Sequence, residues 1–140
     1  MYCRAKHIYR TFQGDVLDTG ESRRIARMTN KTLWDPWPAD PQNILLPDAL
    51  DFREGFNALY GMPSRYYGRM FWGMLWVFRF NDHIHTELAW SRDGIHFDRS
   101  PERPKLIARG PDDAWDDGMA FGSSHWIEMG DQWWFYYAGW

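Results

Sequence analysis

Apolar and aromatic residues come in short runs broken by Gly, Pro, Asp and Asn. No stretch of about eleven residues keeps apolar positions at i, i+3, i+4 and i+7 without such an interruption. Helix is therefore not expected to dominate. The runs predict strands near residues 7–13, 23–28, 58–60, 69–80, 86–91, 95–99, 119–129 and 132–138, which makes the chain all-β. Between two of them, Asp93-Gly94 predicts a type I′ hairpin turn, because both central positions of that turn take positive φ. Met129-Gly130-Asp131-Gln132 predicts a second tight reversal.

The pattern also repeats. Thr29, Leu45, Gly68, Phe71, Trp72 and Leu75 fall on Ser91, Ile107, Gly130, Trp133, Trp134 and Tyr137 at a constant spacing of 62 residues. Each copy runs strand, polar turn, aromatic, Pro-rich loop, aliphatic pair, acidic loop, strand, Gly turn and aromatic strand. A unit of about four strands at this period is the signature of a β-propeller blade, a four-stranded antiparallel sheet stacked face to face with its neighbours. The expected organisation is one partial propeller domain over 1–140, with the end of a blade at 1–28, one blade at 29–90 and part of the next at 91–140. Even the smallest propellers need about four blades to close. The chain is accordingly expected to be a portion of a longer protein. Phe71-Trp72 and Trp133-Trp134 alone would suit a sandwich core equally well, and it is the repeat that favours the propeller.

Composition narrows the classes further. Among 140 residues stand 10 Trp, 7 Tyr and 9 Phe, with a net charge of only -3, so the sequence is one that folds. The cations are scattered with no basic stripe, which argues against nucleic acid as a partner. Residues 70–80 form the longest mostly apolar run, contain an Arg, and fall short of the ~20 residues of a membrane-spanning helix. The first residues carry no apolar signal-peptide region, and nothing assigns a compartment. One cysteine, Cys3, excludes an internal disulfide framework and a cysteine-rich zinc site. His83 and His85 share a strand face, yet no third metal ligand accompanies them, so no metal site or cofactor is expected.

The segment Ser91-Arg92-Asp93-Gly94-Ile95-His96-Phe97 joins a hydroxyl, an Asp, a Gly and an aromatic across one turn. Its physics is local: the carboxylate accepts from turn amides, Gly supplies positive φ, and the ring covers the turn. Met28-Thr29-Asn30-Lys31-Thr32-Leu33-Trp34 is a copy without the Asp and the Gly. Glu87-Leu88-Ala89-Trp90-Ser91-Arg92-Asp93-Gly94 with Phe97, then Trp115-Asp116-Asp117-Gly118-Met119, then Trp134-Phe135-Tyr136-Tyr137-Ala138-Gly139, together resemble the five-bladed β-propeller glycosidase superfamily shared by glycoside hydrolase families 32, 43, 62 and 68. The resemblance covers about residues 20 to 140 as two successive blades. It implies an incomplete five-bladed propeller from a protein that hydrolyses glycosidic bonds in a carbohydrate. The isolated chain is expected to show no turnover.

Such hydrolysis needs two carboxyl groups facing one sugar, one to protonate the leaving oxygen and one as base or nucleophile. In the family these acids come from different blades near the starts of inner strands. The residues in comparable positions here are Asp51 and Asp116, the catalytic candidates, with Asp117 a neighbour that strand alternation could substitute for Asp116. Glu87 is a weaker candidate within a predicted strand. Neither the Arg-Asp-Pro nor the Glu-Cys segment typical of family 32 is present, so the acid and nucleophile roles do not carry over residue by residue. Sugar sites also use flat rings and hydroxyl-binding cations. Trp115, Asp117, Tyr60, Arg65 and His125, with Tyr66 and Tyr67, are the binding candidates. Two other readings remain open: a non-catalytic carbohydrate-binding propeller, and a propeller that binds protein on its rim.

Overall fold

Antiparallel pairing organises this aromatic chain into stacked sheets. The computed structural model describes residues 2–5, 9–12, 15–18, 22–39, 41–53, 57–79 and 82–140. Strand makes up 55% and helix 4%, so the chain is all-β. Among the described residues, every ladder between named strands is antiparallel. No helix among them is long and apolar enough to cross a membrane.

A first sheet has the order β1 (Tyr2–Ala5), β4 (Ser22–Arg27), β5 (Gln42–Leu45), with the hairpin β2 (Tyr9–Phe12) and β3 (Asp15–Asp18) lying between β1 and β4 in sequence. The short helix α1 (Ala49–Arg53) leads into a middle sheet of β6 (Asn57–Gly61), β7 (Ser64–Tyr67), β8 (Met70–Arg79), β9 (His83–Ser91), β10 (Asp98–Arg99) and β11 (Lys105–Ile107). Both β6 and β7 pair with β8, and both β10 and β11 with β9, so the middle sheet is a four-row meander. A hairpin of β12 (Ala120–Met129) and β13 (Gln132–Gly139) completes the structure.

Local chemistry explains the interruptions. Pro63 separates β6 from β7 on the outermost row, where its missing N–H costs no ladder bond, and its carbonyl still accepts from Met74 N at 3.0 Å. The turn from β7 to β8 is Gly68-Arg69, with φ of 58° and 66°, the two positive values a type I′ turn takes. Gly130, 62 residues on, repeats the positive φ at 66° between β12 and β13.

Strand alternation sends the two faces of the middle sheet to different neighbours. Leu59, Leu75, Val77 and Ala89 pack with Ile25 of the first sheet, flanked by Ile44, Leu45 and Phe97. Burying each large aliphatic side chain there contributes roughly 1.5–3 kcal/mol. On the opposite face Trp76 meets Phe121 of β12 edge-on, at 5.1 Å between ring centres, and donates through Nε1 to Gly122 O at 3.0 Å. The chain thus stacks three layers: the first sheet, the middle sheet and the β12–β13 hairpin.

Several expectations change. Asp93-Gly94 is not a type I′ hairpin, because only Gly94 has positive φ, at 72°. Asp93 Oδ1 instead accepts from Ile95 N and His96 N, both at 2.8 Å, while Ser91 Oγ accepts from Gly94 N at 2.9 Å, and these bonds carry a longer connection between β9 and β10. The ring against Gly94 is Phe71, whereas Phe97 packs on the core. The strand expected at 95–99 is confined to Asp98–Arg99, since that turn occupies the residues before it. Segments β1, β3, β5, β7 and β11 are strands that the apolar pattern did not predict. The middle sheet runs over residues 57–107. Of the strand expected at 7–13, residues 7, 8 and 13 lie outside the described residues.

Candidate functional site

The two leading carboxylates occupy equivalent connections, Asp51 between β5 and β6 and Asp116 between β11 and β12, but they have different surroundings. Asp48 caps α1, its Oδ1 accepting from Leu50 N at 3.0 Å and Asp51 N at 3.3 Å, and this brings the Asp51 side chain inward. There the Arg99 guanidinium donates to both Asp51 oxygens, at 2.8 and 2.9 Å, and Asp48 N donates to Asp51 Oδ2 at 2.9 Å. Arg99 also reaches Glu87 Oε2, through Nη2 at 2.8 Å and Nε at 3.2 Å, and His85 Nε2 faces Glu87 Oε1 at 3.0 Å. All four side chains are buried. Asp51 is therefore committed to an internal ion pair, and the arrangement ties the helix that follows the first sheet to β9 and β10 of the middle one.

Glu87 carries the electrostatic signature of this network. Burial works to raise its pKa, but the hydrogen bond from His85 and the charge and hydrogen bonds of Arg99 outweigh burial and hold the carboxyl below its usual range. A depressed pKa in the folded state supplies stability above the unfolded value that is lost as pH falls. The melting temperature is accordingly expected to drop on acidification below about 4.3, the ordinary Glu pKa, and Glu87→Gln is expected to flatten that slope in melts between pH 7 and pH 3. An unchanged slope in the variant would remove Glu87 as its source.

Asp116 belongs to a second centre. It is buried, and its Oδ2 accepts from the Tyr137 hydroxyl at 2.9 Å. That hydrogen bond, with burial and the Asp116 charge, raises the Tyr137 pKa and keeps the phenol protonated. Trp115 is 67% exposed and stacks on the Tyr137 ring at 5.6 Å. Gly110 and Gly139 make the packing possible, since a side chain at either would collide with Asp116, and at Gly139 also with the Trp115 ring. Tyr137 further lines an open cleft of about 560 Å³ with Tyr136, Ser123 and Ser124, a size in the ligand-pocket range of roughly 300–1,000 Å³.

The remaining candidates are spread out. Asp117 Oδ2 accepts from Asp113 N at 2.8 Å and its carbonyl accepts from Arg109 at 2.6 Å, so it braces the loop beside Asp116. Tyr60 is half-buried among Phe78 and Phe121, with Arg23 over its ring at 4.0 Å. Arg65 donates to Trp126 O at 3.2 Å and covers the Trp126 ring at 4.4 Å, six residues along β12 from Ala120 and so roughly 20 Å of strand away from the Asp116 end. His125 is exposed, its Nδ1 2.9 Å from Ser124 Oγ. Tyr66 packs on Phe71, and Tyr67 donates to Glu128. His85 is turned to Glu87, and among the described residues no group of three potential ligands could hold a metal ion.

The structure thus brings together Asp116, Asp117 and Trp115, and adds Tyr137, which the sequence reading had placed only in a strand. It leaves Asp51 at the other boundary of the middle sheet: Glu87 and His85 alternate on β9 with Ile84 and Thr86, and it is Thr86 that bonds to β12. The signal for Arg99 lay in Glu87 itself, since an acid inside an apolar strand requires a buried donor. No protein-family model matches the chain, and neither a curated protein nor a solved structure matches it.

Proposed function

We propose that the chain is part of a five-bladed β-propeller protein of the glycoside-hydrolase type, and that a sugar ring of its carbohydrate substrate binds at Asp116, Tyr137 and Trp115. The observation that carries this reading is the exposed Trp115 ring stacked on Tyr137 at an interplanar angle of 29°, with the Tyr137 hydroxyl fixed by the buried Asp116 carboxylate. A pyranose offers an apolar face to such a ring and hydroxyls to the carboxylate. The stacked layers, the 62-residue spacing and the sequence resemblance support the propeller. In the hydrolytic reaction Asp116 is one of the two carboxyl groups, as acid or as base.

A second reading, sugar binding without hydrolysis, is favoured by one observation: both oxygens of Asp51, the other candidate acid, are already engaged by Arg99. One experiment addresses both. The chain is titrated with a panel of pentose and hexose oligosaccharides while tryptophan fluorescence is followed, and chromogenic glycosides are assayed in parallel. Quenching by one sugar class is expected, with affinity about tenfold weaker in Asp116→Asn, equivalent to roughly 1.4 kcal/mol. Released product selects hydrolysis; because the isolated chain is expected to show no turnover, the binding reading is selected only when the full-length protein also quenches without releasing product. No quenching by any sugar, or an undiminished response in Trp115→Ala, removes this site.

A further inference from the structure

A second cleft, of about 330 Å³, opens between the first sheet and the middle sheet beside the Ser91–Asp93 turn. Ile44, Met62, Phe71 and Phe97 give it apolar walls. Three polar side chains border it, and two are already satisfied. Ser64 Oγ donates to Met62 O at 3.0 Å. Asp93 Oδ1 accepts from Ile95 N, His96 N and the Ser91 hydroxyl, and its Oδ2 lies 2.6 Å from His96 Nδ1, so this carboxylate is consumed in holding its own turn. The third is Arg27, at the end of β4. Among the described residues its guanidinium has no hydrogen bond, ion pair or ring contact.

An apolar slot lined by an arginine whose guanidinium donors are unused has the chemistry to take an anion with a hydrophobic tail. Arg presents a planar fork that matches a carboxylate bidentately. A cationic ligand would meet Arg27 in the same slot, and a neutral apolar ligand would leave the guanidinium unused. We propose that this cleft binds a small amphipathic carboxylate, with an aromatic or branched aliphatic tail between the two sheets and its carboxylate on Arg27. The site is separate from the one built around Asp116 and stands or falls independently of the carbohydrate reading.

The probe is 3-phenylpropionate, titrated into the full chain by ligand-observed NMR against its neutral amide, 3-phenylpropanamide. The acid is expected to bind saturably and about tenfold more tightly than the amide. Arg27→Gln is expected to weaken the acid about tenfold and leave the amide unchanged, with near-UV circular dichroism matching the parent. The half-exposed position of Arg27 favours a folded variant; should it fail to fold, the acid-to-amide ratio on the parent chain decides alone. Absence of saturable binding, equal affinity for acid and amide, or an acid affinity indifferent to Arg27→Gln in the folded variant each overturns the proposal.

Discussion

Arg99→Leu is expected to destabilise the chain by about 3–5 kcal/mol, because it removes the guanidinium that two buried carboxylates share. Asp51 loses both guanidinium hydrogen bonds and Glu87 loses its contacts at Oε2, while both side chains remain inside. Leucine restores part of the apolar volume but offers no donor. The cheapest relief is to protonate a carboxyl, so the penalty should shrink on mild acidification, opposite in sign to the acid sensitivity of the parent. Urea denaturation at pH 7 and pH 5 measures both effects. A loss below 1 kcal/mol at pH 7, or one that grows at pH 5, would show that water reaches these carboxylates. The triple replacement of Asp51, Glu87 and Arg99 by apolar residues of similar size is expected to cost much less than Arg99→Leu alone, since it removes the buried charges together with their partner.

That contrast also marks where sequence reading stops. The long strands β8, β9, β12 and β13 were visible because aromatic and aliphatic runs there end at Gly, Asp or Asn. The strands β5 (QNIL), β7 (SRYY) and β11 (KLI) were not, because four or fewer residues with few apolar side chains leave no periodicity to read. The ladders of their neighbours make them strands. Glu87 announced a buried partner, but nothing local distinguishes Arg99 from the chain's other arginines; the choice is made when β10 pairs with β9 and sets Arg99 opposite Ala89, two residues from Glu87. Asp116 and Trp115 were legible as a motif, whereas Tyr137 joins them only through the β12–β13 register that sets Phe121 opposite Ala138. The motif at Asp93 was read correctly as turn chemistry, yet its turn type was not, because carboxylate-to-amide bonds hold the backbone where positive φ at Asp93 had been expected.

Thr86→Val tests how the middle sheet is joined to the hairpin that carries Tyr137. Beyond a single bridge between Ile84 and Met119, β9 and β12 share no ladder, and the Thr86 side chain takes its place. Its hydroxyl donates to Ala120 O and accepts from Gly122 N, both at 2.9 Å, at a residue with no exposed surface. Valine keeps the shape and removes both bonds, leaving a carbonyl and an amide buried without partners at about 1–3 kcal/mol each. A total loss of roughly 2–4 kcal/mol is expected. Thr86→Ser keeps the hydroxyl and gives up only a methyl group, so it should cost roughly 1 kcal/mol. Denaturant melts of the two variants measure the difference, and amide exchange at Gly122 identifies its origin: fast in Thr86→Val, protected in Thr86→Ser. If Val equals or exceeds Ser in stability, packing against Gly122 and Ile107 rather than hydrogen bonding joins the layers, and the position of Tyr137 beside Asp116 rests on shape alone.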